Sequence, residues 1–208
     1  MIQIITRENR GLFRHALTEM HTQRRKLFID EMGWGLAEIA GLEIDQFDCE
    51  EAIYLIDMSE SGRVLQSARL LPTTLPHMLS EIFGHLCEAG PPVSNNIWEA
   101  SRFCPAPDTP KGAPRRLLLG RMITAIMETG LLFGMENVTF VASAALAPLA
   151  CTAGWRVTSL GPVVRTRRDR LAAFSAEIAA DGLARVRARN QLSAPLTRHA
   201  DPGLKRAA

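Results

Sequence analysis

"AIYLIDMSESGRVLQSARLL", residues 52–71, decides how the rest of the chain can be arranged. Two runs rich in β-branched and long apolar residues, 52–58 and 63–71, flank a Ser-Gly turn at 59–62, which predicts a β-hairpin. Leu65, Arg69 and Leu71 fall on one face of its second strand by period-two alternation. An arginine therefore keeps apolar company, and a buried cation needs a hydrogen-bonded anion beside it.

Upstream, "IQIIT" (2–6) reads as a short edge strand, and Phe13, Ala16, Leu17, Met20, Leu27 and Phe28 recur at helical spacing. They predict an amphipathic helix from Glu8 to about Met32. Arg24 lies four residues from both Met20 and Phe28, so a second guanidinium sits on a core-facing stripe. After "GWG" (33–35) the chain reads as irregular to Cys49, yet "EIDQFD" (43–48) packs Glu43, Asp45 and Asp48 around one aromatic.

Downstream, 72–96 is a Pro-rich connection with a short helix near 77–83, and "IWEASRFC" (97–104) reads as an interior strand carrying Glu99 and Arg102. A long helix follows, with Leu118, Met122, Ile126 and Leu131 on one face. "NVTFVAS" (137–143) is a strand, 144–155 a short helix weakened by Pro148, "RVTSLG" (156–161) a strand, and 168–190 a polar helix. Strands separated by helices, with one hairpin inside, argue for an α/β fold with a mixed central sheet flanked by helices. The expected organisation is one domain over 1–190 and a flexible tail over 191–208.

The composition suits a folded protein: of 208 residues, 47% are hydrophobic and 22% charged, and no run approaches the roughly 20 apolar residues of a membrane span. No signal-peptide pattern opens the chain, so the cytoplasm is the expected compartment. Cys49, Cys87, Cys104 and Cys151 form no C-x-x-C pair, which argues against a zinc site or a disulfide framework. The net charge of +2 is uneven, with ten Lys/Arg against four Asp/Glu in residues 165–208. An acidic partner would dock there.

Three arginines near apolar surface (Arg24, Arg69, Arg102) and four acids (Glu43, Asp45, Asp48, Glu99) are satisfied most simply by one polar network at one end of the sheet. Separate surface pairs are the alternative reading.

Arg24-x-x-x-Phe28, Trp34, Glu43-x-Asp45-x-Phe47-Asp48, Arg69-Leu-Leu-Pro-Thr and Glu99-x-Ser101-Arg102-Phe103 occur in this order over residues 20–104. This series resembles the N-acyl-homoserine-lactone (autoinducer) synthases, and a weaker match continues to Trp155. The resemblance implies a GNAT-like three-layer αβα sandwich with a mixed, splayed sheet. It also implies an acyltransferase that joins the amine of S-adenosylmethionine to an acyl thioester, either acyl-CoA or acyl carrier protein, and releases methylthioadenosine. S-adenosylmethionine is then a substrate, and no cofactor or metal is expected.

Carried onto these positions, the resemblance implies Glu99, Asp45 and Arg102 as catalytic residues. Arg24, Phe28, Trp34, Asp45, Asp48, Arg69, Arg102 and Phe103 would bind S-adenosylmethionine. An acyl channel would be lined by Leu118, Met122, Ile126, Phe140, Ala142, Leu146, Leu149 and Trp155. Ala142 replaces the threonine expected for 3-oxo chains, which points to an unsubstituted acyl group, and Pro148 departs from the charged residue usual in that helix. Lys111, Arg115 and Arg116, at the start of the long helix, would meet phosphates of the donor. Glu99 and Arg102, three apart, reach one site only if a bulge or splay intervenes near Ala100.

Another GNAT-type N-acyltransferase is the rival enzyme, but its phosphate loop is absent, since "RRLLLGR" (115–121) offers only Gly120. A nucleic-acid binder acting through "RTRRDR" (165–170) and "RARNQ" (187–191) would leave Arg24 and the acidic motif unexplained.

Overall fold

The computed structural model describes residues 1–166, 169–193 and 195–201. Its strands are β1 (Ile2–Ile5), β2 (Glu38–Ile39), β3 (Leu42–Glu43), β4 (Ile53–Met58), β5 (Val64–Pro72), β6 (Ile97–Pro105), β7 (Asn137–Ser143), β8 (Val157–Ser159), β9 (Val164–Arg165), β10 (Arg170–Glu177) and β11 (Thr197–His199). The helices are α1 (Arg14–Arg24), α2 (Met78–Glu81), α3 (Ala113–Leu132), α4 (Ala147–Cys151) and α5 (Ala180–Asn190). Nine strands form one mixed sheet in the order β11-β1-β4-β5-β6-β7-β10-β8, with β9 also on β10.

The expected hairpin is β4–β5, and Tyr54 stands opposite Arg69. Alternation sends the two faces of this hairpin into different cores. Ile53, Leu55, Ala68 and Leu70 pack with α3 and α5, whereas Tyr54, Ile56 and Leu71 pack with Ala16 and Met20 of α1. Helices thus cover both sides of the sheet, which is the three-layer arrangement that two apolar faces require.

Several elements differ from the sequence reading. The long N-terminal helix is broken: a 3₁₀ turn (Arg10–Phe13) precedes α1, and a π-helical segment (Arg25–Glu31) follows it. The wider π turn carries Leu27 and Phe28 into burial beside Arg24. Residues 170–177, expected to be helical, form β10, paired with β7 from Leu171 to Glu177. Its small Ala172, Ala173 and Ala176 are all buried, so tertiary pairing overrides their helical propensity. The irregular stretch before Cys49 holds the hairpin β2–β3, turned by Ala40 and Gly41 at φ 50° and 81°, the two left-handed positions such a turn needs.

β1 is not an edge strand. β11, which falls in the expected flexible tail, pairs with it in parallel. Glu128 of α3 holds that segment down, accepting from the backbone N–H of Leu196 and of Thr197 at 2.9–3.1 Å and from Arg187 at 2.7 Å. The remainder of that tail, residues 202–208, lies outside the described residues, as do Arg167 and Arg168 of the basic motif.

The sheet splays at its centre. β6 and β7 run parallel and pair only from Ile97–Asn137 to Glu99–Thr139. Beyond Glu99 no pairing joins the two strands, so the sheet splays between β6 and β7. Among the described residues no helix is long and apolar enough to cross a membrane.

Candidate active site

The polar network predicted from spacing is present, on the α1 face beside the splay. Arg24, at the end of α1, grips Asp48 through two parallel hydrogen bonds of 2.8 and 2.9 Å and also donates to Glu43. Arg69 on β5 donates to Asp45 at 2.6 Å and to Asp48 at 2.9 Å. Arg102 on β6 donates to Glu43 at 3.0 Å and to Asp45 at 2.7 Å. Three cations and three carboxylates thus alternate in one connected cluster.

Such burial is tolerable only because every lobe is paired. Burial by itself would raise the Asp48 carboxyl, but hydrogen bonds and charge from Arg24, helped by Arg69, outweigh it and hold the group well below the usual carboxylate range. Asp48 also accepts from the Tyr54 hydroxyl at 2.9 Å. The loop fixes itself locally: Asp48 accepts from the Asp45 N–H, and Asp45 from the Phe47 N–H, both at 2.9 Å. The close spacing of the acids is therefore a folding device as well as a charge reservoir. Asp45 and Arg102 are the members nearest solvent, with side chains 9% and 4% exposed against 0–2% for the others.

A β-bulge brings Arg102 into the cluster. Arg69 pairs with Ser101 and Ser67 with Cys104, so β6 holds one extra residue there, and Arg102 has a left-handed φ of 53°. The bulge lies at Arg102, while the splay from β7 begins just past Glu99, beside Ala100 where an irregularity was expected. It turns Arg102 toward the acids and Phe103 the other way: Phe103 packs against the α3-side core and does not wall the pocket on the α1 side. Phe28 and Trp34 do form a wall there. Their rings stack at 5.0 Å, Arg102 lies 5.6 Å above Phe28, and Trp34 is 40% exposed, presenting a free aromatic surface.

Glu99 sits at the apex of the splay, almost wholly buried, on the same face as Arg69 and Ser101. One carboxylate oxygen accepts the Leu79 N–H at 2.6 Å; the other has no partner among the described residues. Burial raises its pKa, and the hydrogen bond from Leu79 together with charge from His77 and Arg69 only partly counters this. A buried carboxyl with raised proton affinity at a cleft is suited to accept a proton.

On the α3 face, Phe140 stacks with Trp155 at 5.6 Å and with Phe174 at 5.4 Å, and Met122, Ile126, Ala142 and Leu146 complete an apolar wall. Two expected lining residues do not belong to it. Leu149 is 42% exposed, and Leu118 is outside the cluster, where Leu119 of the next helical position packs instead. Leu131 is also exposed, because Met122 and Ile126 set the stripe and it lies off their row. Lys111 and Arg116 are exposed just before and within the first turn of α3, and Arg115 donates to the Thr109 carbonyl at 3.2 Å. Gly120 serves packing: a Cβ there would lie 2.2 Å from the Asn190 side chain of α5.

Several C-terminal arginines are already paired. Arg185 meets Asp181, Arg156 meets Glu177 and Asp181, and Arg187 meets Glu128. These pairs remove much of the free cationic surface a nucleic-acid binder needs. Sequence reasoning missed Tyr54, Ser101, which accepts from Arg69 at 3.2 Å, and His77; only the Tyr54–Arg69 register across the hairpin could have flagged the first.

The autoinducer synthase family model matches residues 9–182. An isovaleryl-homoserine lactone synthase of Bradyrhizobium diazoefficiens is 35% identical over 163 residues, covering 77% of this chain and 72% of its own. An acyl-homoserine-lactone synthase of Pseudomonas aeruginosa is 28% identical over 179 residues, covering 84% and 86%. Among solved structures, a CoA-dependent acyl-homoserine lactone synthase, BjaI, with SAM and isopentyl-CoA superposes with a TM-score of 0.88 at 30% identity, covering 98% of this chain and 95% of that one.

Proposed function

This chain belongs to the autoinducer synthase family and is an acyl-homoserine-lactone synthase, and we propose that it acylates S-adenosylmethionine from acyl-CoA, using Glu99 as base and the Arg24–Arg69–Arg102 network to hold the substrate. The observation that carries this reading is the placement of a buried, partly unpartnered Glu99 at the splay, next to an ion cluster whose solvent-nearest members are Asp45 and Arg102.

On the α1 face, Phe28 and Trp34 offer the sulfonium an aromatic surface, worth about 0.5–2 kcal/mol. Asp45 attracts the α-ammonium and Arg102 the carboxylate. The acyl chain lies on the α3 face against Phe140 and Trp155, and the thioester meets the amine through the opening between β6 and β7. Lys111, Arg115 and Arg116 supply positive charge for the phosphates of the donor.

A free α-amine has a pKa of roughly 7.7–8, raised further by a nearby carboxylate, so it must lose a proton before it attacks. Glu99 takes that proton, and the nitrogen lone pair adds to the thioester carbonyl. Backbone N–H groups freed where β6 leaves β7 face the developing oxyanion. Collapse breaks the C–S bond, and the departing thiolate takes up the second proton from nitrogen, leaving the neutral amide and a free thiol. The substrate carboxylate then closes onto its own γ-carbon, the C–S⁺ bond breaks, and methylthioadenosine leaves as a neutral sulfide. The first reaction uses the base and the second only orientation, which the ion network provides.

The chain works in the cytoplasm, where both substrates are made. Ala142, buried on the acyl face, offers no hydroxyl to a 3-oxo group, so an unsubstituted chain is the substrate. The test is a panel of straight, branched and 3-oxo acyl-CoAs and the matching acyl-carrier thioesters, with the lactones identified by mass. Branched or straight unsubstituted acyl-CoA should be turned over fastest; exclusive use of carrier-bound 3-oxo chains would refute the assignment.

A further inference from the structure

Among the described residues, every terminal guanidinium nitrogen of the ion network donates to a carboxylate except one, Nη1 of Arg102. Both of Arg24 reach Asp48, both of Arg69 reach Asp45, and Nη2 of Arg102 reaches Glu43 and Asp45. Nη1 of Arg102 donates instead to the thioether sulfur of Met78, 3.1 Å away. A thioether is a neutral, weak acceptor, so it aims the N–H without cancelling the positive charge. Arg24 provides the contrast. Its Nη1 lies 3.8 Å from the Met20 sulfur but also donates to Asp48 at 2.8 Å, so there the sulfur is packing. Of the three arginines Arg102 has the most exposed side chain, and Met78 is only partly buried.

Met78 opens α2, and the next residue, Leu79, donates its N–H to Glu99 at 2.6 Å. Consecutive residues of one turn therefore hold Arg102 and Glu99. Ser80 ties that turn down, accepting the His77 N–H at 3.1 Å and donating to the His77 carbonyl at 3.0 Å. On the reading of Arg102 as the arm for the substrate carboxylate, we propose that Met78 is its positioning residue: the thioether holds Nη1 in readiness and gives it up to the carboxylate when S-adenosylmethionine binds. A soft acceptor is displaced at little cost, whereas a carbonyl or carboxylate at this position would compete with the substrate for a charge-assisted bond. In the closing step a carboxylate oxygen forms its bond to the γ-carbon, the C–S⁺ bond breaks and its electron pair goes to sulfur. Both substrate charges vanish together, and Nη1 returns to the thioether.

The test compares methylthioadenosine, which lacks the carboxylate, with S-adenosylhomocysteine, which carries it, by calorimetry on the whole protein. Met78→Gln, similar in length, puts an amide oxygen against Nη1. Its Kd for S-adenosylhomocysteine should rise roughly tenfold, the loss expected when a charged group must displace a strong acceptor, with that for methylthioadenosine within about twofold of wild type. Met78→Leu, which removes the sulfur and adds no competitor, should stay within about threefold for both. Equal weakening of the two ligands in Met78→Gln, or no weakening of either, overturns the proposal. A second measurement uses the wild-type protein, labelled with ¹³C in its methionine methyls. The Met78 signal, assigned by its absence from Met78→Leu, should move with S-adenosylhomocysteine well beyond any change with methylthioadenosine; equal shifts overturn the proposal even if Met78→Gln fails to fold. These readouts need no turnover. A protein that shows the carboxylate-selective pattern and makes no lactone refutes the function and keeps Met78, while one that makes lactone without the pattern does the reverse.

Discussion

Arg24 and Asp48, 24 residues apart in sequence, meet through two hydrogen bonds of 2.8 and 2.9 Å, with both side chains at most 2% exposed. A bidentate pair sealed from water is a rigid strut between α1 and the acidic loop. Asp45 takes its position from it through its N–H bond to Asp48 and through Arg69, and Arg102 through Glu43.

Removing one end of such a strut leaves the other as an uncompensated buried charge. Arg24→Met should lower unfolding free energy by about 3–5 kcal/mol, read from urea unfolding. Arg24→Lys should be nearly as harmful, because an ammonium cannot make the fork to Asp48 while also reaching Glu43.

Acid should weaken the fold through Asp48. Its folded pKa lies below the ordinary value of 3.8, so its contribution to stability is complete above that value and drains away as pH falls toward the folded pKa. Stability measured between pH 6 and pH 2.5 should drop more steeply for wild type than for Asp48→Asn, which starts lower because it has already lost its charge.

Glu99 behaves in the opposite sense. Its folded pKa is raised by burial, so the folded state favours the protonated form and the group costs stability increasingly as pH climbs from its unfolded value through its folded one. Glu99→Gln should therefore melt at or above the wild-type temperature at pH 8 while losing about 10²–10⁴-fold in kcat. A variant both more stable and nearly inactive separates a chemical role from a packing role.

Trp34 carries little packing and much exposed ring. Trp34→Ala should leave stability within about 1 kcal/mol yet raise the KM for S-adenosylmethionine roughly tenfold, the upper range for a cation held against an aromatic face. Steady-state kinetics at saturating acyl-CoA would check it.

Glu128 clamps the last strand. Glu128→Ala should release residues 195–201, seen as faster amide exchange at Leu196 and Thr197 and as new proteolytic cuts there, with the lactone-forming rate changed little.

The ion network was legible in the sequence because burying an arginine imposes a strict requirement. Arg24 and Arg69 each sat on an apolar stripe, and six residues elsewhere held the only dense cluster of carboxylates to satisfy them. The hairpin was legible for the same reason, since alternation and a turn left it one register. The irregularity in β6 was foreseen in need, but strand periodicity says that a residue must be inserted and not where, so the bulge itself fell at Arg102; Phe103 was placed in the pocket by the family resemblance, which does not fix the face of the strand. Residues 170–177 misled through their alanines, whose local preference is helical and whose burial on both sides of β10 is decided by β7. β11 was invisible because three residues carry no periodicity, and its anchor, Glu128, sits on a helix some 70 positions earlier.

The central claim is that Glu99, placed by the splay and faced by the ion network, deprotonates S-adenosylmethionine for attack on acyl-CoA. Mixing enzyme with S-adenosylmethionine and isovaleryl-CoA and quantifying products by mass spectrometry tests it most directly. The account predicts one acyl-homoserine lactone for each methylthioadenosine and free CoA released by wild type, and neither product above background from equally folded Glu99→Gln. Equal turnover by Glu99→Gln, or methylthioadenosine formed with no lactone, would contradict it.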